Sequence, residues 1–305
     1  MSAHLNPECR HDFVLLFDIQ DGNPNGDPDG GNLPRTDSET MQGLVTDVCL
    51  KRKVRNYVDL VGGDQVPNLI YVQNKGFALN DLHARAYEDL KIKPTGTKQK
   101  RDDVDKARLW MCQNFYDIRM FGAVMTTGVN CGQVRGPIQM TFARSFDPIM
   151  PVDVAITRIA ITKPEDAAVQ VSEDGKKGEG GKTTEIGRKA MIPYGLYQGH
   201  GFFSPHLASQ TGVTEADLAI FWDALLKMWD FDRSASRGLM APRGLYVFSH
   251  ESKLGNAPAH KLFELITTQL KKPGESPRKF SDYTEIAIDE TKLPQGVTLT
   301  TLTKG

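Results

Sequence analysis

Cysteine is scarce and scattered in this chain. Only 4 of its 305 residues are cysteines, and no two of them form a Cys-x-x-Cys pair. This spacing predicts neither a disulfide framework nor a zinc site. We therefore expect buried, reduced thiols at all four positions. These positions are Cys9, Cys49, Cys112 and Cys131.

Long apolar runs are lacking too. No stretch approaches the roughly 18 consecutive apolar residues of a membrane-spanning helix. The chain starts with Met-Ser-Ala-His, which lacks the basic-then-apolar pattern of a secretory signal. Hydrophobic residues make up 39% and charged residues 25%, as in an ordinary globular protein. The sequence thus predicts a cytoplasmic protein with no membrane partner.

Neither sign of charge is in excess over the whole chain. The 37 Lys and Arg residues are balanced by 38 Asp and Glu residues, which gives a formal net charge of −1. This balance argues against a protein that coats nucleic acid through bulk positive charge. Basic residues do cluster locally, with four against one acid in residues 46–57 and seven against three in residues 91–108. Any contact with nucleic acid is therefore expected on particular faces.

Common catalytic motifs are missing. The chain has no Gly-x-x-x-x-Gly-Lys-Ser/Thr loop, no Gly-x-Gly-x-x-Gly fingerprint and no Gly-x-Ser-x-Gly elbow. His200 and His206 lack an acidic or thiol partner at a ligand spacing, and we expect them to be structural. Carboxylates are common in turns, so we expect neither a metal nor a cofactor at the aspartates near the first predicted strand. These aspartates are Asp18, Asp21, Asp27 and Asp29.

The most informative segment that is present reads Asn-Pro-Asn-Gly-Asp-Pro-Asp, at residues 23–29. It follows residues 13–19, which are apolar on both alternating faces and predict a central strand. Two prolines and nearby glycines predict that the segment is an irregular loop, neither helix nor strand. The side chains of Asn23 and Asn25 and unpaired backbone amides suit a polyanion that passes close to the main chain.

A basic helix is predicted directly after this loop, over residues 46–61. Lys51, Arg52 and Arg55 share one arc of the helix, and Lys53 falls apart from them. An ordinary solvated face is one interpretation of this arc, but its position beside the loop favours contacts with phosphate groups. The predicted buried stripe consists of Leu50, Val54, Tyr57, Val58 and Val61.

The other periodic segments predict alternating helices and strands. Two strands, 133–146 and 152–162, are expected to run antiparallel to each other, which favours an α+β, ferredoxin-like sheet with helices on one face. Thr214 and Asp217 predict the start of a strong helix. The remaining expectations are an irregular insertion over 62–100, a helix over 103–120 that Gly122 ends, a strand over 243–250, a helix over 258–272 and a strand over 284–288.

Residues 165–188 break the pattern. They are rich in Gly, Lys, Glu and Thr and hold almost no large apolar residue. A plain connection of this length is unusual inside a compact domain. The segment is predicted to be either disordered or a projecting arm.

Three short, basic, glycine-bearing turns lie farther along the chain. They begin at Gln133, at Gly187 and at Asp232. Arginine guanidinium groups and hydroxyl groups suit phosphate oxygens. Each turn alone is more typical of a surface loop, but together they favour nucleic-acid binding.

Six segments, in this order, resemble the backbone subunit of type I-C CRISPR Cascade complexes, a family of the RAMP superfamily. They are Asn-Pro-Asn-Gly-Asp-Pro-Asp (23–29), Leu-Pro-Arg-Thr-Asp (33–37), Thr-Asp-Val-Cys-Leu-Lys-Arg-Lys-Val-Arg-Asn-Tyr (46–57), Arg-Gly-Pro-Ile-Gln (135–139), Ile-Gly-Arg-Lys (186–189) and Asp-Arg-Ser-Ala-Ser-Arg-Gly (232–238).

The resemblance implies a right-hand shape. A modified RNA-recognition-motif palm would comprise residues 1–61, 121–162 and 191–305, with a finger region at 62–120 and a thumb at 163–190. Several copies would line up along one CRISPR RNA, and each thumb would displace one guide nucleotide. The bases between would pair with target DNA, and the large, small and RNA-processing subunits of Cascade would be further partners.

No strand carries the paired aromatic residues that stack bases, so we expect contacts mainly to phosphate and sugar. Such contacts suit a subunit that serves any guide, because base pairing reads the target. The predicted RNA-binding residues are Asn23, Asn25, Arg35, Lys51, Arg52, Arg55, Gln133, Arg135, Arg188, Lys189, Arg233, Ser234, Ser236 and Arg237.

Two catalytic alternatives stay open. Related backbone subunits of type III complexes cut target RNA with a loop aspartate, and Asp21 or Asp27 would be the candidate in a metal-dependent RNA endonuclease. Processing of precursor RNA would need a general base beside a 2′-hydroxyl, for which His11 and His83 are weak candidates. The main prediction is a non-catalytic RNA-binding subunit.

Overall fold

The computed structural model describes residues 2–95, 99–158 and 185–305 of the chain. An antiparallel sheet lies at its centre, with helices against one face and a C-terminal layer against the other. This is the mixed α+β architecture that the sequence predicts. None of the described helices is long and apolar enough to span a lipid bilayer.

The central strand is β1 (His11–Gly22), which pairs with β10 (Glu185–Phe203) on one side and with β11 (Leu239–His250) on the other. Its apolar side chains are fully buried, because apolar layers cover both faces of the sheet. The strand predicted over 13–19 is confirmed and is longer than predicted.

Five further strands belong to this sheet: β4 (Gln42–Val45), β7 (Ile138–Met140), β8 (Ala143–Pro148), β9 (Val152–Arg158) and β14 (Val297–Lys304). Within the described ranges the strand order is β14–β11–β1–β10–β8–β4, and β7 and β9 also pair with β10. Neighbouring strands are antiparallel throughout.

Short paired strands lie outside the main sheet. They are β2 (Gly26–Asp27) with β3 (Leu33–Pro34), β5 (Gly122–Met125) with β6 (Gly132–Arg135), and β12 (Ile266–Thr267) with β13 (Ala287–Ile288). Because β2 falls within residues 23–29, the prediction that this loop contains no strand is wrong. Single-turn 3₁₀ helices lie at Ala3–Leu5, Phe280–Asp282 and Glu290–Lys292.

Two long helices, α1 (Asp47–Gly62) and α6 (Glu215–Phe231), pack on the same face of the sheet. The predicted caps are confirmed: Thr46 Oγ1 accepts a hydrogen bond from the Cys49 N–H, and Thr214 forms a capping box with Asp217. The stripe predicted for α1 is buried except at Val61, which is exposed because the last turn extends past the core.

The opposite face of the sheet is covered by the C-terminal part of the chain. Val14 and Leu16 of β1 pack there with Tyr246, Phe248 and Leu262. Leu262 comes from α7 (Ala259–Phe263), which is much shorter than the helix predicted over 258–272.

The prediction of a long helix over 258–272 is wrong for a local reason. Ile266, Thr267 and Thr268 are β-branched and favour an extended backbone. In the structure the helix ends before them, and Ile266 and Thr267 form strand β12. The final strand of the main sheet, β14, was not predicted, since its threonines make it less apolar than a buried strand.

A second apolar cluster lies apart from the main core, around Tyr71, Tyr87, Met111 and Phe115. It is built by α2 (Leu79–Asp89), α3 (Arg101–Asn114), α4 (Tyr116–Phe121) and the β5–β6 hairpin. Residues 62–100 therefore contain a helix, α2, that their irregular composition concealed.

The helix predicted over 103–120 is broken at Phe115. This residue is extended and bridges to Leu69, and the Tyr116 N–H donates to the Leu69 carbonyl at 2.9 Å. A tertiary hydrogen bond thus replaces a helical one. The predicted stop is confirmed, because Gly122 follows α4 with a φ of +81°.

Strands β8 and β9 are not an antiparallel pair, and that prediction is wrong. Both pair antiparallel with β10, so they run in the same direction along it. The proline-containing link between them, 149–151, interrupts the pairing along one side of β10 and is not a hairpin turn. The segment predicted as one strand over 133–146 is divided among β6, β7 and β8.

Strand β10, with 19 residues, was not predicted because glycine and proline interrupt its pattern. The glycines make room for aromatic rings: a Cβ at Gly201 would overlap the ring of Phe13. The predicted arm over 165–188 lies largely outside the described residues, and the part that is described, from Glu185 on, belongs to β10 paired with β9.

Small helix α5 (Pro205–Thr211) follows β10 and leads into α6. Gly212, with a φ of +80°, ends it, and Val213 packs into the main core. The chain then re-enters the helix layer at Thr214.

Candidate nucleic-acid interface

Two loops press together backbone to backbone at the end of β1. The Asn23 N–H donates to the Ser236 carbonyl at 2.7 Å. A Cβ at Gly22 would overlap the carbonyl of Arg237, and a Cβ at Gly238, whose φ is +63°, would overlap the β1 backbone. Glycine is therefore required at both positions. The contact fixes the 232–238 loop beside the Asn-Pro-Asn loop.

The asparagines of the first loop make internal hydrogen bonds. Asn25 Oδ1 accepts from both the N–H and the hydroxyl of Thr46, each at 2.9 Å. Asn23 Nδ2 donates to the Asn32 carbonyl at 2.7 Å. Asn25 thus holds the loop against the start of α1, and Asn23 holds it against Asn32. Their role in RNA binding stays a prediction.

A cleft of about 450 Å³ opens between these loops and the first turns of α1. We call it the loop cleft. It brings together residues from three distant parts of the sequence. Six of the predicted RNA-binding residues line it: Asn23, Asn25, Arg52, Ser234, Ser236 and Arg237.

One carboxylate, Asp232, organises the charges of the loop cleft. Arg52 Nη2 lies 3.2 Å and Arg237 Nε 3.4 Å from its oxygens, and buried Lys53 also binds it. Burial acts to raise the pKa of Asp232, but Lys53, Arg52 and Arg237 outweigh that effect and hold the pKa below its usual value. Three cations on one anion leave an excess of positive charge that suits a phosphate.

The predicted basic arc of α1 is divided between two environments. Arg52 faces the loop cleft with 43% of its side chain exposed. Lys51 and Arg55 instead lie over the ring of Phe121 in α4, at 5.7 and 5.3 Å from its centroid, and are only 12% and 11% exposed. Arg55 Nε also bonds Asp117 at 2.7 Å. The expectation of one open basic face is wrong, because α4 covers half of it.

Two predicted arginines lie next to the residues that line the cleft. Arg35 follows β3, and its Nη1 lies 3.3 Å from Asp27 Oδ1. Arg233 belongs to the 232–238 loop and pairs with Asp230 at 2.6 Å. Both side chains are partly exposed and add positive charge beside the loop cleft.

Gln133 and Arg135 line a different pocket, of about 240 Å³. It lies where β6 meets α3 and α5, and Arg108 and Gln210 contribute to it. Arg135 pairs through its backbone with Gly122, the residue after Phe121. This second basic surface thus lies beyond the α1–α4 contact, outside the loop cleft.

Arg188 and Lys189 lie on the ribbon formed by β9 and the first half of β10. Arg188 is largely exposed and pairs with Asp153 across the ribbon at 3.0 Å. The ribbon extends from the edge of the sheet, so these residues form a third surface. The predicted RNA-binding residues are therefore brought together only in part.

A family profile described as CRISPR-associated protein Cas7 matches residues 9–289, nearly the whole chain. The chain belongs to the Cas7 family. The predicted resemblance is thereby confirmed at the level of the family, and the type I-C subtype stays a prediction.

Known proteins similar to this Cas7 family member include a curated CRISPR-associated protein Cas7 of Haloferax volcanii. It is 24% identical over 305 residues, which cover 93% of this chain and 81% of the relative. Solved structures with some similarity include a chain of a pre-nicking CRISPR RNA-guided surveillance complex (TM-score 0.46, 12% identity, 78% of each chain covered). Another is a chain of a CRISPR RNA-guided surveillance complex (TM-score 0.42, 16% identity, 77% of this chain and 68% of that one).

The aspartates of this Cas7 chain that lie near β1 point to different partners. Asp18 bonds Arg243 at 2.9 Å, and burial raises its pKa. Asp27 pairs with Arg35, whereas Asp21 is exposed and has a φ of +50°. Within the described ranges, no three His, Cys, Asp or Glu side chains come together as candidate metal ligands.

The histidine candidates for RNA processing are both buried. His11 Nδ1 lies 2.9 Å from Ser249 Oγ and its Nε2 lies 2.8 Å from the Asn6 carbonyl. Burial lowers the pKa of His11 to about 4. His83 Nε2 lies 2.8 Å from the hydroxyl of Tyr71. Both side chains are fully shielded from solvent.

Sequence reasoning missed the role of Asp232 in this Cas7 family member. It grouped Lys53 apart from the basic arc, and the structure shows that Lys53 is the buried partner of that aspartate. A signal was present in the helical spacing, which separates Lys53 from the solvated basic arc. A lysine that is buried in a helix needs a carboxylate as its partner. Sequence alone did not indicate which of the 38 acidic residues it would be.

Proposed function

We propose that this chain is a non-catalytic backbone subunit of a type I-C Cascade complex in the cytoplasm. It binds CRISPR RNA, several copies line up along one RNA, and the assembly presents the guide for pairing with target DNA. The observation that carries the proposal is the loop cleft, in which cations and hydroxyls from three parts of a Cas7 family chain converge.

The loop cleft suits a phosphate and not a particular base. A guanidinium has five N–H donors. Asp232 takes some of those of Arg52 and Arg237, and the Asn23 and Pro24 carbonyls accept from Arg237 Nη1, so the remaining donors are left for a phosphate. The hydroxyls of Ser234 and Ser236 line the same space. These are the groups that fix the position of an RNA backbone without reading its sequence. A subunit that accepts any guide requires this property.

The order of the elements in the main sheet supports the proposal of a ferredoxin-like palm. Along the chain, β1, α1, β8, β10, α6 and β11 follow the order βαββαβ, and their strands lie in the order β11–β1–β10–β8. The separate apolar cluster around Tyr87 and Phe115 supports a finger region at 62–120. The palm would then comprise 1–61, 121–162 and 191–305.

The β9–β10 ribbon supports the proposal of a thumb at 163–190. Its described base bears exposed apolar residues, with Ile186 exposed to 73% and Val154 and Ile156 also in contact with water. Exposed apolar side chains on an extended ribbon are typical of a contact surface. We propose that the thumb contacts the next copy along the RNA and displaces one guide nucleotide. The large, small and RNA-processing subunits complete the proposed set of partners.

A filter-binding experiment tests the RNA site. The double variant Arg52→Ala, Arg237→Ala removes the two arginines that line the loop cleft. The double variant Arg85→Ala, Arg101→Ala removes two exposed arginines of the finger region as a control. Each charge-assisted contact contributes about 1–3 kcal/mol. We expect at least roughly 30-fold weaker CRISPR RNA binding for the cleft variant, with a salt slope smaller by about 1.4 for two lost phosphate contacts.

The control variant should bind like the wild type. Equal affinity and an equal salt slope for the cleft variant would reject the proposed site. The endonuclease alternative is tested with the same RNA: cleavage that requires a divalent metal and is lost in Asp21→Ala or Asp27→Ala would replace the non-catalytic assignment.

A further inference from the structure

A second groove lies on the face of the sheet opposite α1 and α6. Gln198 and His200 of β10 pair with Leu16 and Val14 of β1, whose side chains belong to the apolar layer on that face. We call it the sheet-face groove, and its volume is about 420 Å³. Its main lining residues are Gln42, Phe142, Arg144, Phe146, Gln198 and His200.

Phe142 is exposed in this groove because the pairing along this side of β10 is interrupted there. The His200 N–H donates to Thr141 Oγ1 at 3.1 Å, and the Thr141 N–H donates to the His200 carbonyl at 2.9 Å. Phe142 then falls between β7 and β8 and belongs to neither strand. Its side chain is left 51% exposed. A large aromatic ring presented to water beside polar groups is informative, whereas scattered small apolar residues are not.

The polar groups around Phe142 are of the kinds that recognise a nucleotide. Burial lowers the pKa of His200, so its ring is neutral at pH 7 and accepts the Gln198 amide N–H at 2.9 Å. This leaves the Gln198 amide oxygen as an acceptor in the described structure. Arg144 is half exposed, and among the described residues its partner is Asp37, which Nη1 binds at 2.8 Å.

We propose that the sheet-face groove binds one unpaired nucleobase of a single-stranded nucleic acid. The base stacks on Phe142, an exocyclic or ring N–H donates to Gln198, and the remaining guanidinium donors of Arg144 contact the adjacent phosphate. Aromatic rings stack any base, because every base has a π-face. The inference rests on the proposed function, since it assigns a second contact to a chain that binds nucleic acid through the loop cleft.

The groove chemistry favours a base over an apolar protein segment. An amide, a guanidinium and a neutral imidazole surround the ring, and an apolar partner would bury the remaining donors of Arg144 and the amide oxygen of Gln198 without hydrogen bonds. A base satisfies them through its own donors and acceptors. Guide RNA and target DNA offer the same chemistry, so the experiment treats them as separate arms.

The experiment uses the full-length protein and single-stranded octanucleotides, one RNA and one DNA, each carrying a single 2-aminopurine. Stacking on Phe142 is expected to quench the fluorescence of this base. Phe142→Leu keeps the apolar bulk but removes the aromatic face, and Phe142→Tyr retains that face. Leu254→Ala truncates an exposed residue, 78% accessible, in a loop outside the groove and is the matched control.

We expect quenching in the wild type, in Phe142→Tyr and in Leu254→Ala. Phe142→Leu should lose the quenching and bind at least about 5-fold more weakly, as expected when one base loses its aromatic partner. Quenching confined to the RNA or to the DNA arm identifies the strand that occupies the groove. Circular dichroism checks that every variant is folded.

Failure of this inference and failure of the proposed function are distinguishable. If Arg52→Ala, Arg237→Ala weakens RNA binding but Phe142→Leu binds and quenches like the wild type, the groove assignment alone is wrong. If the wild type binds both oligonucleotides without quenching, the groove assignment is also wrong. If the wild type binds neither oligonucleotide, both proposals are rejected together.

Discussion

At the scale of single residues, the loop cleft depends on the balance of charge around Asp232. Lys53 is almost fully buried, and Asp232 is its counter-ion, while Arg52 and Arg237 hold the same carboxylate from the open side. A buried cation that loses its partner is costly, whereas an exposed ion pair contributes little. The aspartate therefore stabilises the fold and also positions the two arginines.

Replacement of Asp232 should reveal this role. Asp232→Asn is expected to lower the free energy of unfolding by about 3–5 kcal/mol, because Lys53 is left buried without a counter-ion. Asp230→Asn removes an exposed carboxylate whose ion-pair partner is exposed Arg233, and it should cost less than about 1 kcal/mol. Urea denaturation measures both. Equal, small losses would show that Lys53 needs no counter-ion in the folded protein.

The backbone contact between the two loops gives a second prediction. Gly238 has a φ of +63° and lies against the β1 backbone, whereas Gly274 has a φ of +85° with open space around it. Gly274→Ala should cost about 1–2 kcal/mol for backbone conformation alone. Gly238→Ala should cost clearly more and weaken RNA binding, because the loops must separate. Thermal unfolding of the two variants compares them, and equal losses would refute the close contact.

The buried histidine of β1 predicts a dependence of stability on pH. Burial lowers the pKa of His11 to about 4 in the folded chain, against 6.5 when unfolded. Between these values the unfolded chain binds more protons, so the stabilising contribution is complete above pH 6.5 and is lost as the pH falls to about 4.

The total loss attributable to His11 is about 3 kcal/mol. The difference in unfolding free energy between the wild type and His11→Gln, measured from pH 7.5 to pH 4, isolates it from the carboxylates. The unfolding free energy of the wild type, relative to that of His11→Gln, should decrease as the pH falls through this window. A difference that does not change with pH would contradict the assignment.

At the scale of elements, the sequence predicted what periodic burial determines. Helices α1 and α6 and strands β1 and β11 show clear apolar patterns, and the structure confirms them. Strand β10 escaped prediction because its glycines accommodate rings from neighbouring strands. The break at Phe115 escaped too, since it depends on a contact with Leu69, distant in sequence. Tertiary contacts of this kind leave no local pattern.

The ribbon allows a precise deletion. Arg158 of β9 and Glu185 of β10 are register partners. Residues 159–184 can therefore be replaced by Asn-Gly, the preferred two-residue hairpin turn. We expect the shortened chain to keep the unfolding temperature of the wild type, since no described core residue is removed. We also expect it to bind RNA as single copies without regular assembly, as size-exclusion chromatography with CRISPR RNA would show.

Normal multi-copy assembly of this shortened chain would contradict the thumb assignment. A large drop in unfolding temperature would instead mean that the deleted segment supports the palm. A second hairpin variant with the turn Gly-Asn controls for the choice of turn.

At the scale of the whole molecule, the sequence predicted those parts of the candidate site that consist of short continuous segments. The loop at 23–29, the start of α1 and the loop at 232–238 were each singled out as basic or polar turns, and the fold brings six of their residues into one cleft. Gln133 and Arg188 belong to other surfaces, because the positions of the β5–β6 hairpin and the ribbon depend on the fold. Near-neutral net charge is consistent with stacked copies, which strong positive charge would repel.

The central claim is that this Cas7 family chain assembles in several copies along one RNA. Native mass spectrometry of the purified protein with CRISPR RNAs of increasing length tests it most directly. The account predicts that the number of copies rises stepwise with RNA length, and that the variant Arg52→Ala, Arg237→Ala assembles poorly while Arg85→Ala, Arg101→Ala assembles normally. A chain that remains a nucleic-acid-free monomer, or that binds one copy whatever the RNA length, would contradict it.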